Sequence, residues 1–220
     1  AQYPNGAAPQ HALLNLDIYN TKGADSNNNT FEFTNDKKAP VLYGFTDAVY
    51  FDQYGVEIVV LKPVKDANDN ILEGIGIDPE GSYVVTADEG LTSLGTLVAD
   101  GETFAGKTVK LSTDIDLSED NWDPIGDNST DAAFTGVFDG QGHTIKGAHI
   151  TGDHCFNGSV YGNKEGWGLF AVVDGATVKN LKVDGATFGS YTVISGVIAG
   201  YANNTTFENI DITNSKVAGY

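Results

Sequence analysis

The sequence predicts an all-β fold in which an N-terminal β-sandwich-like module is followed by a parallel β-helix with a short capping helix. One short phrase recurs, as Thr-Val-Lys, Thr-Ile-Lys, Thr-Val-Lys and Thr-Phe-Glu starting at positions 108, 144, 177 and 206, at intervals of 36, 33 and 29 residues. Glycine occurs 27 times in 220 residues, which is typical of short strands joined by turns. With 40% hydrophobic residues, the chain can bury a core.

Residues 1–82 are predicted to form the N-terminal β docking module, which begins with a flexible arm at residues 1–10. Short apolar stretches, some with alternating apolar and polar residues, are separated by turn-rich pieces. We expect this module to attach the protein to other subunits. The predicted strands are Leu13–Tyr19, Phe31–Thr34, Val41–Phe45, Val49–Tyr54 and Val56–Val64.

Residues 83–106 are predicted to hold the capping helix and a linker. Thr86 and Glu89 have the spacing of a capping box, in which each side chain bonds a backbone N–H that the helix leaves free. Gly101 can end the helix, which we expect to cover an open end of the repeats. One face of the helix carries Leu91, Leu94, Leu97 and Val98.

Residues 107–220 contain the repeats. Units of about 30 residues with such short strands bury their apolar face only when they stack as successive coils. Alignment by the recurring phrase stacks Val178 on Phe207 in the interior, and we expect loops at 118–133 and 152–166 to absorb the unequal spacing.

Asn180 and Asn209 fall at a bend in this alignment, where Gly147 holds the equivalent position one coil earlier. Stacked asparagines can form a ladder of side-chain amide hydrogen bonds, which would then end at Gly147. The alternative is that these asparagines only favour a turn.

Three phrases are of a known type: Asp-Ile-Asp-Leu at 114–117, Trp-Asp-Pro-Ile-Gly at 122–126, and Phe-Thr-Gly-Val-Phe-Asp-Gly-Gln-Gly-His-Thr-Ile at 134–145. They make residues 86–220 resemble the GLUG-repeat proteins, a family common among secreted and surface proteins of bacteria. The resemblance implies a right-handed β-helix and an exposed or adhesive role. It implies no catalytic residues, because the signature residues look structural, and it does not extend to residues 1–82.

The two ends of the sequence carry expectations of their own. Tyr220 falls partway through a coil in this alignment, so we expect a further strand to follow it. An open end of a β-helix exposes a strand edge and apolar side chains, which a continuing chain or a partner chain would cover. The start at Ala1 fits removal of a signal peptide or of an initiator methionine.

The charge excludes several classes of partner. The formal net charge is −18, and all 12 basic residues are lysines. Such a surface repels nucleic acid and anionic lipid, and without arginine it lacks a bidentate grip on phosphate. No apolar run approaches a membrane span, and the single cysteine, Cys155, excludes an intrachain disulfide.

Three groups of residues contain side chains of metal-binding type, and none predicts a metal or another cofactor. The histidines and the cysteine, namely His143, His149, His154 and Cys155, fit no standard ligand spacing. Asp66, Asn68 and Asn70 begin like a calcium loop, but no glycine follows them and Ile77 replaces the bidentate acid, which favours a turn. The third group is an acidic stretch, and a solvated loop is favoured over weak calcium binding there: Asp114, Asp116, Glu119, Asp120, Asp123, Asp127 and Asp131.

Four aromatic residues are candidate glycan contacts, because they fall on or near loops of the coils and aromatic rings stack on sugar faces: Tyr161, Trp167, Tyr191 and Tyr201. The alternative is that these rings shield turns and stack along the core.

The function expected from the sequence is that of a non-catalytic, exposed structural or adhesive protein. It would be extracellular, at a cell surface or on a virion as a decoration or fibre protein, with other subunits bound through residues 1–82, and it allows a homo-oligomer. The alternative is a carbohydrate-active β-helix enzyme that uses paired carboxylates among Asp114, Asp116 and Asp139. Asp139 lies in a Gly-rich turn and arginine is absent, so we expect no enzyme activity.

Overall fold

In the residues that it describes, the computed structural model confirms an all-β fold with one short helix and a β-solenoid of about four turns. Two compact units are present: residues 1–64 with 76–80, and residues 65–75 with 81–220. No helix among the described residues is both long and apolar enough to cross a membrane. The structure describes residues 23–24, 30–32, 41–43, 50–51, 57–58, 60–127, 132–150, 166–190 and 194–219, with the backbone alone up to residue 60.

The first unit contains short strands at most of the places where the sequence predicts them. β1 and β2 pair antiparallel, as do β2 and β3 and also β4 and β5, whereas β3 and β6 pair parallel. The predicted strand Leu13–Tyr19 and the arm at 1–10 lie outside the described residues, and the sandwich-like packing stays a prediction. The strands are β1 Gly23–Ala24, β2 Thr30–Glu32, β3 Val41–Tyr43, β4 Tyr50–Phe51, β5 Glu57–Ile58 and β6 Val60–Lys65.

The helix α1, Asp88–Ala99, lies where it was predicted and buries its apolar face. It follows β7, Ile71–Ile77, and β8, Tyr83–Val85. The predicted capping box is wrong: Ala87 is the N-cap, without a side-chain hydrogen bond, and the backbone N–H of Thr86 donates to the Gly74 carbonyl at 2.8 Å. The backbone of Thr86 pairs with β7, so Thr86 is not the N-cap that the local pattern predicted.

The solenoid consists of parallel strands that stack coil upon coil. Its inward columns are Val109, Phe138, Val178 and Phe207, and Ile115, Ile145, Val183 and Ile212. Its strands are β9 Thr108–Leu111, β10 Ile115–Asp116, β11 Val137–Asp139, β12 Thr144–Lys146, β13 Gly166–Trp167, β14 Phe170–Asp174, β15 Thr177–Asp184, β16 Thr187–Ser190, β17 Ile194–Ser195, β18 Ala199–Asn203, β19 Thr206–Thr213 and β20 Lys216–Gly219.

The register corrects the alignment made from the recurring phrase. Thr108, Val137, Thr177 and Thr206 are successive partners, so the steps are 29, 40 and 29 residues. The phrase at 144–146 belongs to the second column, where β12 lies between β10 and β15. The segment 118–133 fits inside a step of ordinary length. Of the 11 extra residues of the middle step, two fall between Phe138 and Ile145 and nine between Ile145 and Phe170, the part of the chain that contains the predicted loop 152–166.

Aromatic rings pack against one another in the interior of the solenoid. Phe134 lies 5.4 Å from Phe104 and 5.3 Å from Phe170 between ring centroids, and Phe138 lies 5.4 Å from Phe170. Trp122 is also buried, and its indole N–H donates to the Leu169 carbonyl at 3.1 Å. Such pairs add about 0.5–1.5 kcal/mol each to the hydrophobic gain, so this cluster anchors the first three coils.

Two glycines of α1 give a matched test of the contact between the helix and β7. A Cβ at Gly90 would lie 2.0 Å from the Gly74 carbonyl oxygen, whereas a Cβ at Gly95 meets no heavy atom closer than 3.9 Å. Urea unfolding should show Gly90→Ala destabilised by at least about 2 kcal/mol. Gly95→Ala should be stabilised by up to about 1 kcal/mol through helix propensity. Equal effects would contradict the close contact.

Candidate functional site

The outer face of the coils carries columns of alternating charge. Lys110, Asp139, Lys179 and Glu208 are successive partners in parallel register. Strands in a sheet lie about 4.8 Å apart, so each charge has opposite charges as its nearest neighbours in the column. We call this set the first charge column; its Lys179 ammonium lies 3.4 Å from the Asp139 carboxylate.

A second charge column follows the other strands of the coil. Asp116, Lys146 and Asp184 are successive partners, and the Lys146 ammonium lies 2.6 Å from Asp116. The hydrogen bond from Lys146, followed by that from the Ser118 hydroxyl, lowers the pKa of Asp116 to about 2. Lys182 of β15 and Asp211 of β19 are partners in register and form a further pair of opposite charges. These pairings favour the observed register, because a shift of one strand would separate the opposite charges.

An amide ladder runs beside the first charge column, and this confirms the bolder of the two hypotheses about Asn180 and Asn209. Asn209 Nδ2 donates to Asn180 Oδ1, and Asn180 Nδ2 donates to Asp139 Oδ1, both at 3.0 Å. Both asparagines adopt left-handed φ values near 50°, which confirms the bend. The ladder ends on Asp139. The prediction that it would end at Gly147 was wrong, because Gly147 stacks in another column, where its N–H donates to the backbone carbonyl of Asp184.

The three carboxylates considered for catalysis all tie strands or turns together. Burial would raise the pKa of Asp139, but hydrogen bonds from Asn180 and the Gln141 N–H, with Lys179 nearby, hold that pKa below its ordinary value. Asp114 accepts a 3.0 Å hydrogen bond from the Thr144 N–H. Asp116 binds Lys146 and Ser118.

The residues considered for metal binding have other partners. His143 Nδ1 lies 3.2 Å from Asp114, and His149 Nδ1 lies 2.9 Å from the Gly147 carbonyl. Asp66 accepts the N–H groups of Asn68 and Asn70, which confirms the predicted turn. Within the described ranges no three His, Cys, Asp or Glu side chains converge as metal ligands. His154, Cys155 and Asp131 lie outside those ranges.

An acidic cleft of about 430 Å³ gathers part of the predicted acidic stretch. Sequence reasoning missed the contribution of Asp88 and Glu89, which come from the first turn of α1. No local pattern could have found them, because the helix and the stretch meet only in the folded chain. The acidic residues that line the cleft are Asp88, Glu89, Asp116, Glu119, Asp120 and Asp123.

The aromatic candidates do not form one exposed strip among the described residues. Trp167 is only 6% exposed, which fits the alternative of a ring packed along the core better than glycan contact. Tyr201 is half-buried on β18, in register with Val172. Tyr161 and Tyr191 lie outside the described residues, and glycan contact at these positions stays a prediction.

The last described coil exposes its apolar side chains. Phe207, Ile212 and Val217 are 44%, 45% and 46% exposed, although their partners Val178, Val183 and Phe188 are buried. Phe207 therefore stacks on Val178 as predicted, but it is covered on one side only. We call β18, β19 and β20 together the terminal rung.

No protein-family model, curated protein or solved structure matches this chain.

The pKa of Asp116 tests the second charge column. Its depressed pKa means that its contribution to stability is complete above pH 4 and is lost as the pH falls towards 2. Lys146→Gln should raise the pKa of Asp116, measured by NMR titration of the carboxyl carbon, although Ser118 still lowers it. An unchanged pKa would contradict the pairing, and Lys182→Gln is the matched control.

Equivalent substitutions test the amide ladder. Asn180→Gly keeps the left-handed backbone accessible but removes two ladder hydrogen bonds, whereas Asn209→Gly removes one. At about 1 kcal/mol for each bond, urea unfolding should show roughly twice the loss for Asn180→Gly. A larger loss for Asn209→Gly would contradict the ladder.

Proposed function

We propose that this chain is a non-catalytic, exposed structural or adhesive protein. Residues 1–82 attach it to other subunits of a cell-surface or virion assembly, and the solenoid projects outward. The observation that carries the proposal is the use of the outer side chains: the described carboxylates of the charge columns hold neighbouring coils in register. Side chains that hold neighbouring coils together fit a structural shaft better than a catalytic site.

We also propose that the repeats are of the GLUG type. What supports this is the position of the residues in the family phrases. Trp122, Phe134 and Phe138 are buried, and Gly126 has a φ of 87° beside the Ala132 carbonyl. A Cβ at Gly126 would lie 2.6 Å from that oxygen, so glycine is needed there for packing. The family phrases therefore consist of residues that fill the core or form turns, which fits a family whose shared feature is a β-helix coil.

The alternative, a carbohydrate-active enzyme, requires a pair of carboxylates free to exchange protons with a glycosidic oxygen and a water or anomeric carbon. The hydrogen bonds of Asp114, Asp116 and Asp139 within the coils weigh against this use. The pKa of Asp116 near 2 also makes it a poor general acid at neutral pH.

Cross-linking of the native assembly tests the attachment. Lysine-reactive cross-linkers applied to intact cells or particles should join other subunits to Lys22, Lys37 and Lys38 of the proposed docking module. Lys146, Lys179 and Lys182 of the solenoid should react mainly with free label, because they face outward. Links to other subunits concentrated on the solenoid lysines would contradict the proposal. Absence of surface label on intact cells or particles would contradict exposure.

A further inference from the structure

One buried aromatic residue has a strained backbone. Phe104 lies between α1 and β9, its side chain is fully buried, and its φ is 63°. Aromatic residues rarely adopt this left-handed conformation, because their Cβ then crowds the following carbonyl oxygen. Such strain persists only where neighbouring groups hold the backbone in place. We call residues 102–107, which contain Phe104, the strap.

The Glu102 side chain holds the strained residue on one side. One carboxylate oxygen accepts the Phe104 N–H at 3.0 Å, and the other accepts a hydrogen bond from the Lys107 ammonium, which lowers the pKa of Glu102. The Lys107 N–H closes the turn by donating to the Phe104 carbonyl at 2.9 Å. The Glu102 N–H donates to the Leu97 carbonyl at 2.9 Å, so this residue also ties the strap to α1.

The coil that contains β11 holds the strap on the other side. The N–H groups of Thr135 and Val137 donate to carbonyls of the strap, at 2.8 and 2.9 Å. Between them, a Cβ at Gly136 would lie 2.7 Å from the Phe104 carbonyl oxygen, so the two backbones are in direct contact. The strained residue is therefore enclosed by this coil and by the Glu102 carboxylate.

The left-handed backbone places the Phe104 ring in the core. The ring centroid lies 4.9 Å from that of Tyr83 on β8 and 5.4 Å from that of Phe134. The Lys107 ammonium covers the same cluster, 5.6 Å from the Tyr83 centroid and 5.9 Å from the Phe104 centroid. A relaxed backbone at Phe104 would redirect its Cβ away from these rings. The conformation of one residue thus links β8 to the coils.

We propose that the strap is a conformational device that opens as a unit, with Glu102 as its positioning residue. The pair of Glu102 and Lys107 is accessible to water, with 31% and 39% of the side chains exposed. When the pair separates, Phe104 relaxes and the strap releases the next coil, while β15 and β16 keep their partners. Because opening relieves the strain, it costs less than unfolding the solenoid.

Amide hydrogen exchange of the full chain tests this proposal. In the unaltered protein, the Thr135 and Val137 amides, corrected for intrinsic rates, should exchange at least about tenfold faster than those of Lys182 and Thr187, which bond other coils. Glu102→Ala should accelerate exchange at Thr135 and Val137 by about a further tenfold, since it removes hydrogen bonds to a charged group. It should leave the Lys182 and Thr187 amides unchanged.

Further variants distinguish the ion pair from a general loss of stability. Glu102→Gln keeps an oxygen that can accept the Phe104 N–H, so it should accelerate exchange of the strap-bonded amides less than Glu102→Ala does. Lys107→Arg keeps the positive charge and should preserve the slow exchange, whereas Lys107→Gln should accelerate it. The matched control is Lys65→Gln, which breaks an exposed pair with Asp69 and should change no amide of the coils.

Equal exchange of the two sets of amides in the unaltered protein would overturn the proposal, because the strap would then open only when the solenoid unfolds. Unchanged exchange at Thr135 and Val137 in Glu102→Ala would also overturn it, by showing that core packing alone holds Phe104. If Glu102→Ala does not fold, Glu102→Gln and Lys107→Arg decide the question, and equal exchange in these two variants would overturn the proposal.

Discussion

Parallel stacking of coils, with each strand above its counterpart in the preceding coil, is the constraint on which the rest of this molecule depends. A single coil is too thin to have an interior, so its apolar side chains become buried only between two neighbours. Val178 is buried because it lies between Phe138 and Phe207. The side-chain bonds Asn203 to Asp174, Asn209 to Asn180 and Thr213 to Asp184 all join residues 29 apart. Core, ladders and charge columns thus follow from the same stacking of coils.

The same constraint explains why the polar chemistry of this surface is structural. Asp139 has a lysine on the strand above and on the strand below, and Asp116 has Lys146 on one side, so alternation with lysine gives these carboxylates a favourable partner. Asp139 goes further: it is nearly buried, and it is held by an amide, a backbone N–H and a lysine.

The fold could be predicted well from the sequence, because stacked coils leave a recurring pattern of residues along the chain. The pair of phrases at 177 and 206 gave the true coil length, since no insertion separates them. The phrase at 144 misled, because strands of both columns place an apolar residue inward between polar neighbours, and Thr-Ile-Lys fits either. Two features could not be predicted from the sequence, because they depend on contacts that form only in the folded chain. They are the burial of Trp167 and the proximity of α1 to the acidic stretch.

The register of the coils is measured most directly by nuclear Overhauser effects between side chains that stack in the interior. Contacts should join the Phe138 ring to the Val178 methyls, and the Ile145 methyls to those of Val183. Contacts from Ile145 to Val178 instead, as the recurring phrase alone would align them, would contradict the stacking of Phe138 on Val178 and of Ile145 on Val183.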